Sequence, residues 1–454
     1  MKKFLQIGKG VRSVKTPDIF ASIIPIYYLS KCTGLAPLSL VYTHDKQGRD
    51  GVTLKTSVPA MLYTVLLIIG IAAAQCFGLR AYTVDSLPFG TKEIKQVLVS
   101  EFVLRGITII TSLAASLTRI RKGMDSLLYK VSLIDKLLGT KQDILRSNEI
   151  YMWMQVTSLV FILVIVYAND FVSMNPDFHM GLWVTDTYVG TTIKIVTIMQ
   201  FVNLVSLLKQ KLEILNSYLS SAENSTQHRN DNNLWEVLLQ TQSFRNQDNW
   251  KDDALQTEAF YQALNRRHYS NITMQDSTSI CIQNSWLDKE KLRLRELRII
   301  WDVLCDISSS VNSMYGLQIL FCALSASIEI TTVLSYIIIS LKANVFTPEE
   351  LHFKVVAPIV WALKQFFQLF WIAATCNAVF GEANRSVTLL QKLLLLPELH
   401  PATAAEIQLF LHQVRDRKPN FTAWDFFTIN YGFLGSTVGA IATYLVILVQ
   451  MQAN

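Results

Sequence analysis

Seven runs of mostly apolar residues dominate this chain, at 58–79, 94–117, 150–168, 183–208, 311–341, 355–380 and 431–450. A run of about 20 such residues crosses the hydrocarbon of a bilayer as a helix. The expected fold is therefore an all-α membrane protein with seven transmembrane helices. Composition agrees, since 17% of the 454 residues are charged against about 25% in ordinary soluble chains. The fifth run is long enough to tilt or to project beyond the membrane. An eighth candidate, 19–41, is interrupted by Pro25, Lys31, Gly34 and Pro37, and reads as an interfacial segment lying on the membrane. Met1–Lys15 lacks the apolar centre of a cleavable signal peptide.

Loop charge orients the helices. Lysines and arginines number 9, 7, 12 and 5 in 1–56, 118–149, 209–310 and 381–430, against 2, 0 and 2 in 80–93, 169–182 and 342–354. This alternation places the N-terminus in the cytoplasm and the C-terminus outside. The net charge of +6 follows from the same bias and suits the inner leaflet, not a nucleic acid. Six cysteines give no pair in an outer loop and no CxxC metal pattern. No cofactor is expected.

The divisions follow. Residues 1–56 form a cytoplasmic N-terminal and interfacial segment, and 57–208 carry transmembrane helices one to four. A cytoplasmic loop with helical extensions occupies 209–310, and 311–380 hold helices five and six. Residues 381–429 are cytoplasmic anchor helices, and 430–454 contain helix seven. The polar stretch 224–277 is expected to be a mobile loop. Residues 287–307 return to a helical pattern that runs directly into the fifth span, and 384–396 with 402–415 read as a helical pair separated by Pro397 and Pro401.

Ionisable groups inside a bilayer are costly and mark a cavity or a partner. Here they are Glu101 and Arg105, Asp186 and Lys194, Glu329, and Lys364. On the deduced topology most lie in the outer half, at depths shared by Trp361, Gln365 and Gln368. One reading is an outward-opening pocket for a small hydroxylated or amphipathic ligand, with Glu101, Asp186, Glu329, Trp361, Lys364, Gln365 and Gln368 as its candidates. The other is intramembrane ion pairing, with Glu101 and Arg105 one helical turn apart as its clearest case. Catalysis has no support: Gly-x-Gly-Asp and HExxH are absent, and the seven histidines are scattered.

The last run keeps a small or polar stripe at helical spacing: Gly432, Ser436, Ala440, Thr443, Ile447 and Gln450. Bulky Phe433, Leu434, Val438, Ile441, Leu445 and Leu448 fill the other faces. Such a stripe could line a pore, or it could serve tight helix packing, for which Gly435-x-x-x-Gly439 is equally suited.

Thr443-Tyr444, five hydrophobic residues and Gln450 resemble the signature of insect gustatory receptors, in which Phe follows the Gln. The lead-in Phe421-Thr-Ala-Trp-Asp-Phe-Phe-Thr-Ile-Asn-Tyr431 is similar to that family's approach to its last span. Gly34-Leu-Ala-Pro37 resembles its N-terminal Gly-x-x-Pro segment, and Asn312, Tyr315, Gly316 and Leu320 resemble its fifth span. An internal N-terminus is also opposite to a G-protein-coupled receptor, whose Asp-Arg-Tyr and Asn-Pro-x-x-Tyr motifs are missing.

The resemblance implies a multi-pass, plasma-membrane, tastant-gated cation channel, passing monovalent and divalent ions. It implies a tetramer, either of this chain or with other gustatory receptors, whose last helix lines the pore. Carried onto this chain, Thr443, Ile447, Gln450 and Met451 line the pore, with Gln450 as a polar ring and Ile447 as a hydrophobic gate. Met451 stands where the family has Phe. Leu445 stands where the main sweet-receptor clade often has Glu, so sugar and bitter compounds both stay open as ligands. A secondary transporter of a small polar solute, with its site among Glu101, Asp186 and Glu329, is the rival reading.

Overall fold

The computed structural model describes residues 18–44, 50–84, 92–138, 142–173, 178–227, 278–342, 355–396 and 399–451, apart from some side chains, those of 165–187 among them. The basic N-terminal cluster and most of the polar loop, 228–277, lie outside the described residues. Every apolar run is helical. In chain order the elements are α1 (Asp18–Cys32), strands β1 (Leu38–His44) and β2 (Asp50–Thr56), α2 (Val58–Val84) and α3 (Lys92–Ala115). One π-helical turn, Ser116–Ile120, leads into α4 (Arg121–Leu138). Then come α5 (Gln142–Ser173), α6 (Phe178–Gln227), α7 (Thr278–Lys342), α8 (Ala357–Leu394), α9 (Pro401–Asp416) and α10 (Tyr431–Met451).

Among the described residues five helices are long and apolar enough to cross a membrane: α2, α3 with its continuation, α6, α7 and α8. The third run lies wholly within α5. The seventh forms α10, whose 21 residues span roughly 31 Å at 1.5 Å each and match the hydrocarbon thickness. As its pattern suggested, the segment before the fifth span is continuous with it in the 65-residue α7. Residues 384–394 differ from expectation: they are no separate helix but the last turns of α8, because nothing between Phe380 and Leu394 breaks the helical pattern.

The described chain forms two compact units. In the larger one, α1 is too short at 15 residues to span a bilayer. It folds instead against the bundle, where Ile26 and Leu35 share a core with Ile109 and Leu113 of α3, Leu159 of α5 and Ile193 of α6. Gly34 stops the helix. With φ at +76° it takes the left-handed cap position, and Leu35 and Gly34 donate their N–H groups to the carbonyls of Ser30 and Lys31. The Gly34 carbonyl in turn accepts from Thr64 Oγ1 at 2.8 Å and Ser116 Oγ at 3.3 Å, tying the turn to α2 and the end of α3. Pro37 then opens an antiparallel hairpin in which Leu38 pairs with Thr56 and His44 with Asp50. Sequence reading missed this hairpin, taking its first strand as the tail of the interfacial segment.

The smaller unit contains residues 215–301 and 384–417 as far as they are described. Trp301, fully buried, donates its indole N–H to the Arg417 carbonyl at 2.9 Å and meets Phe410 edge-on. Arg298 bonds Glu406 at 3.0 Å and Gln413 at 3.2 Å, and Ser386 donates to Asn216 at 2.6 Å. His400 caps α9 through Nδ1 ahead of Pro401 at its first turn.

Candidate functional site

Two features stand out in the larger unit, and each begins with where the helix period puts polar groups. On α3, Glu101 and Arg105 are four residues apart, so they lie one above the other, and Arg105 Nη2 donates to Glu101 Oε1. Three further helices contribute Lys194 (α6), Glu329 (α7) and Gln365 (α8). Lys194 Nζ lies 2.9 Å from Glu329 Oε1, with both side chains more than nine-tenths buried. Ser325, one turn before Glu329, donates to the same oxygen at 2.7 Å, and Gln365 donates to the other carboxylate oxygen. Lys194 also reaches Ser325 Oγ at 3.2 Å and Gln365 Oε1 at 3.4 Å. Every polar atom of this pair is thus used, as a charge pair in low dielectric requires.

Lys364 and Gln368 are different. Lys364 Nζ lies 3.2 Å from the centre of the Trp361 ring, a cation–π contact, and has no hydrogen-bond partner although it is buried. Gln368 Oε1 is likewise buried without a partner. The charges of Arg105 and Lys364 both act on Glu329, so the two ion pairs and Lys364 make one cluster. With Glu101 and Glu329 each matched to one cation, the charge of Lys364 is the surplus among the described residues. Of the candidates from sequence, Glu101 and Glu329 sit in ion pairs, and Gln365 ties Lys194 to Glu329. Trp361, Lys364 and Gln368 are grouped on α8, and the side chain of Asp186 lies outside the described residues. Sequence distance hid the pairing of Lys194 with Glu329, which are 135 residues apart.

The second feature is α10. Leu434 and Ile441 are buried against Ala323, Ala326, Ile330, Leu369 and Ala373, the small residues of α7 and α8 allowing close approach. Phe433 and Leu445 pack beside them. All six stripe residues, Gly432, Ser436, Ala440, Thr443, Ile447 and Gln450, are exposed on the surface of the chain. A Cβ built on Gly435 or Gly439 meets nothing within 4 Å. Packing within the chain therefore does not account for the small residues. The side chain of Met451 lies outside the described residues.

The lead-in to α10 is built on α7. Asn312 Nδ2 donates to the Asn420 carbonyl at 2.7 Å and its Oδ1 accepts from Thr422 N at 3.3 Å. Ser308 holds the same carbonyl at 2.8 Å. A Cβ on Gly316 would stand 3.0 Å from the backbone nitrogen of Trp424, so glycine lets the loop lie against the helix. Trp424 and Asp425 adopt left-handed backbone conformations, at φ 49° and 61°, inside a turn closed by the Thr422–Thr428 bridge. Phe421 and Tyr315 both pack on Phe201. The motifs of the fifth span and of the lead-in are two sides of one contact.

A bundle of apolar helices with a buried charge cluster and a last helix turned outward is the architecture of a polytopic membrane protein. The 7tm chemosensory receptor family matches residues 23–454, and the chain belongs to that family. Its fold is similar to that of the insect olfactory receptor OR5 from Machilis hrabei, with a TM-score of 0.57 at 14% identity over 94% of this chain and 97% of that one. The same receptor in complex with eugenol gives a TM-score of 0.52 at 13% identity, over 95% and 98%. Likeness at that identity is a likeness of fold. No curated protein matches the chain by sequence.

Proposed function

We propose that this chain is a gustatory receptor subunit: a tastant-gated, non-selective cation channel of the plasma membrane, assembled as a tetramer around α10. The observation that carries the reading is the outward stripe of α10. Five small or polar residues, with Ile447 on the same stripe, are exposed on the surface of their own chain at the one helix whose signature resembles gustatory receptors. Gathered around an axis, Gln450 offers carboxamide oxygens that replace part of a cation's hydration. Ile447, one turn away, forms a ring that blocks ions by dewetting. Thr443 continues the same face and Met451 ends it.

For the ligand, support comes from the unpartnered atoms of Lys364 and Gln368 beside Trp361. They provide a donor, an acceptor and an aromatic face, the set needed for a small molecule carrying hydroxyl or carbonyl oxygens. A fold relative that is solved with eugenol fits a small-molecule ligand for this chain as well.

Whole-cell recording from cells expressing this chain, with a panel of sugars and bitter compounds, tests the proposal. A tastant-evoked current without added G protein is expected. Gln450→Glu, which turns a neutral ring into an anionic one, should raise divalent over monovalent permeability at unchanged surface expression. Identical permeability ratios in the variant would remove α10 from the ion path. Counterflow of labelled solute without current would favour a transporter.

A further inference from the structure

A cavity of about 150 Å³ lies among α1, the β1–β2 hairpin, α5 and α6, with Tyr315 of α7 on its wall. No residue of the charge cluster lines it: its lining residues on α6, Gln200 to Gln210, follow Lys194 by 6 to 16 residues, roughly 9–24 Å along the helix. Ile24, Leu40, Met152 and Leu207 give it a mainly apolar surface, and no lining residue carries a formal charge. That composition rejects a carboxylate, phosphate or ammonium, because burying an unpaired charge there would have no compensation. Its volume is that of a cavity known to stay dry and to admit benzene, so it takes a single ring with small substituents.

The polar groups on the wall narrow the chemistry further. Gln200 donates to Ser30 Oγ at 2.6 Å, and its carbonyl oxygen accepts from Tyr315 at 3.4 Å. Asn148 and Gln210 bond each other in both directions, at 2.8 and 3.2 Å. Asn203 is 7% exposed and donates to Gln155 at 3.0 Å. Among the described residues no hydrogen bond reaches its carbonyl oxygen, and Asn203 lines the cavity. A ligand that donates one hydrogen bond answers that acceptor. Tyr151 lines the cavity while half exposed, so the space reaches the protein surface beside it.

We infer that this cavity is a second small-molecule site, which binds an uncharged, single-ring molecule carrying one hydroxyl that donates to Asn203 Oδ1. The ligand bridges α1 and the hairpin to α5 and α6, so its binding free energy adds to the stability of that arrangement.

Photolabelling of the full chain in nanodiscs tests this with two probes, trifluoromethyl-phenyl-diazirine and its benzyl alcohol derivative. The alcohol probe should label peptides of α1, α5 and α6 saturably, and excess benzyl alcohol should compete. Leu207→Trp, which fills the cavity, should abolish that saturable labelling, whereas Lys364→Met should leave it intact. Asn203→Leu keeps the branched outline of the side chain and removes the acceptor, together with the donor to Gln155. It should weaken the alcohol probe by roughly 3–10-fold, the worth of one hydrogen bond, and leave the hydroxyl-free probe unchanged. Labelling that rises linearly and spreads over lipid-facing Leu66 and Phe161, as partition into lipid would give, overturns the inference. So does equal weakening of both probes by Asn203→Leu, or an unaltered saturable component in a folded Leu207→Trp protein.

Discussion

Replacing Lys194 by methionine removes one charge from a pair that no solvent reaches. The ammonium lies 2.9 Å from Glu329, and the two side chains are 4% and 3% exposed. At an effective dielectric of about 20, unit charges at that separation attract by roughly 6 kcal/mol, most of it offset by the cost of desolvating both. The measurable quantity is the cost of leaving one charge alone, about 3–5 kcal/mol. Lys194→Met leaves Glu329 with the Ser325 and Gln365 bonds but no cation in contact, and Glu329→Gln strands Lys194. Each variant should therefore lower the melting temperature of the detergent-solubilised protein by roughly 5–10 °C, taking about 2 °C per kcal/mol for a large domain. The Lys194→Met/Glu329→Gln double variant should recover most of that loss, since no uncompensated charge remains. Thermal unfolding followed by fluorescence-detected size exclusion gives all four corners of the cycle at one heating rate. A double variant as unstable as the sum of the singles would refute the argument, showing that the two groups are not energetically coupled.

Three further outcomes are expected. Lys364→Met should raise the half-maximal tastant concentration at least about tenfold, one hydrogen bond to a charged donor being worth ~1.5 kcal/mol or more, while single-channel conductance stays the same. Ile447→Ser should give a standing current without tastant, because a hydroxyl ring no longer dewets, and a silent resting membrane in patch recording would count against the gate. Gly34→Val should reduce folded protein sharply on size exclusion. A Cβ there meets Leu67 Cδ1 at 2.7 Å, and a β-branched residue at φ +76° carries a strain of ~1–3 kcal/mol besides.

How much of this was legible depended on sequence distance. Glu101 and Arg105 could be paired by eye, because four residues along a helix fix their geometry. The period of α10 likewise separated Thr443, Ile447 and Gln450 from Leu434 and Ile441 before any neighbour was known. The Asn312 and Gly316 positions were recognisable only as a resemblance, and their reason became visible once the 417–430 loop lay against α7. The hairpin and the cavity behind it escaped entirely. Short strands beside an apolar helix give a periodic signal too brief to separate from the tail of the helix.

The sequence by itself determined the seven apolar helices and which side chains share a face on each, since apolar length and the 3.6-residue period are local properties of the chain. It also carried the signature that places the chain among chemosensory receptors. Tertiary structure decided which faces meet. Lys194 with Glu329, and Ser30 with Gln200, are joined across 135 and 170 residues by helix packing that no local rule encodes. The stripe of α10 illustrates the division. Its residues and spacing were in the sequence, but only the packing of Leu434 and Ile441 on α7 and α8 turned that stripe away from its own chain.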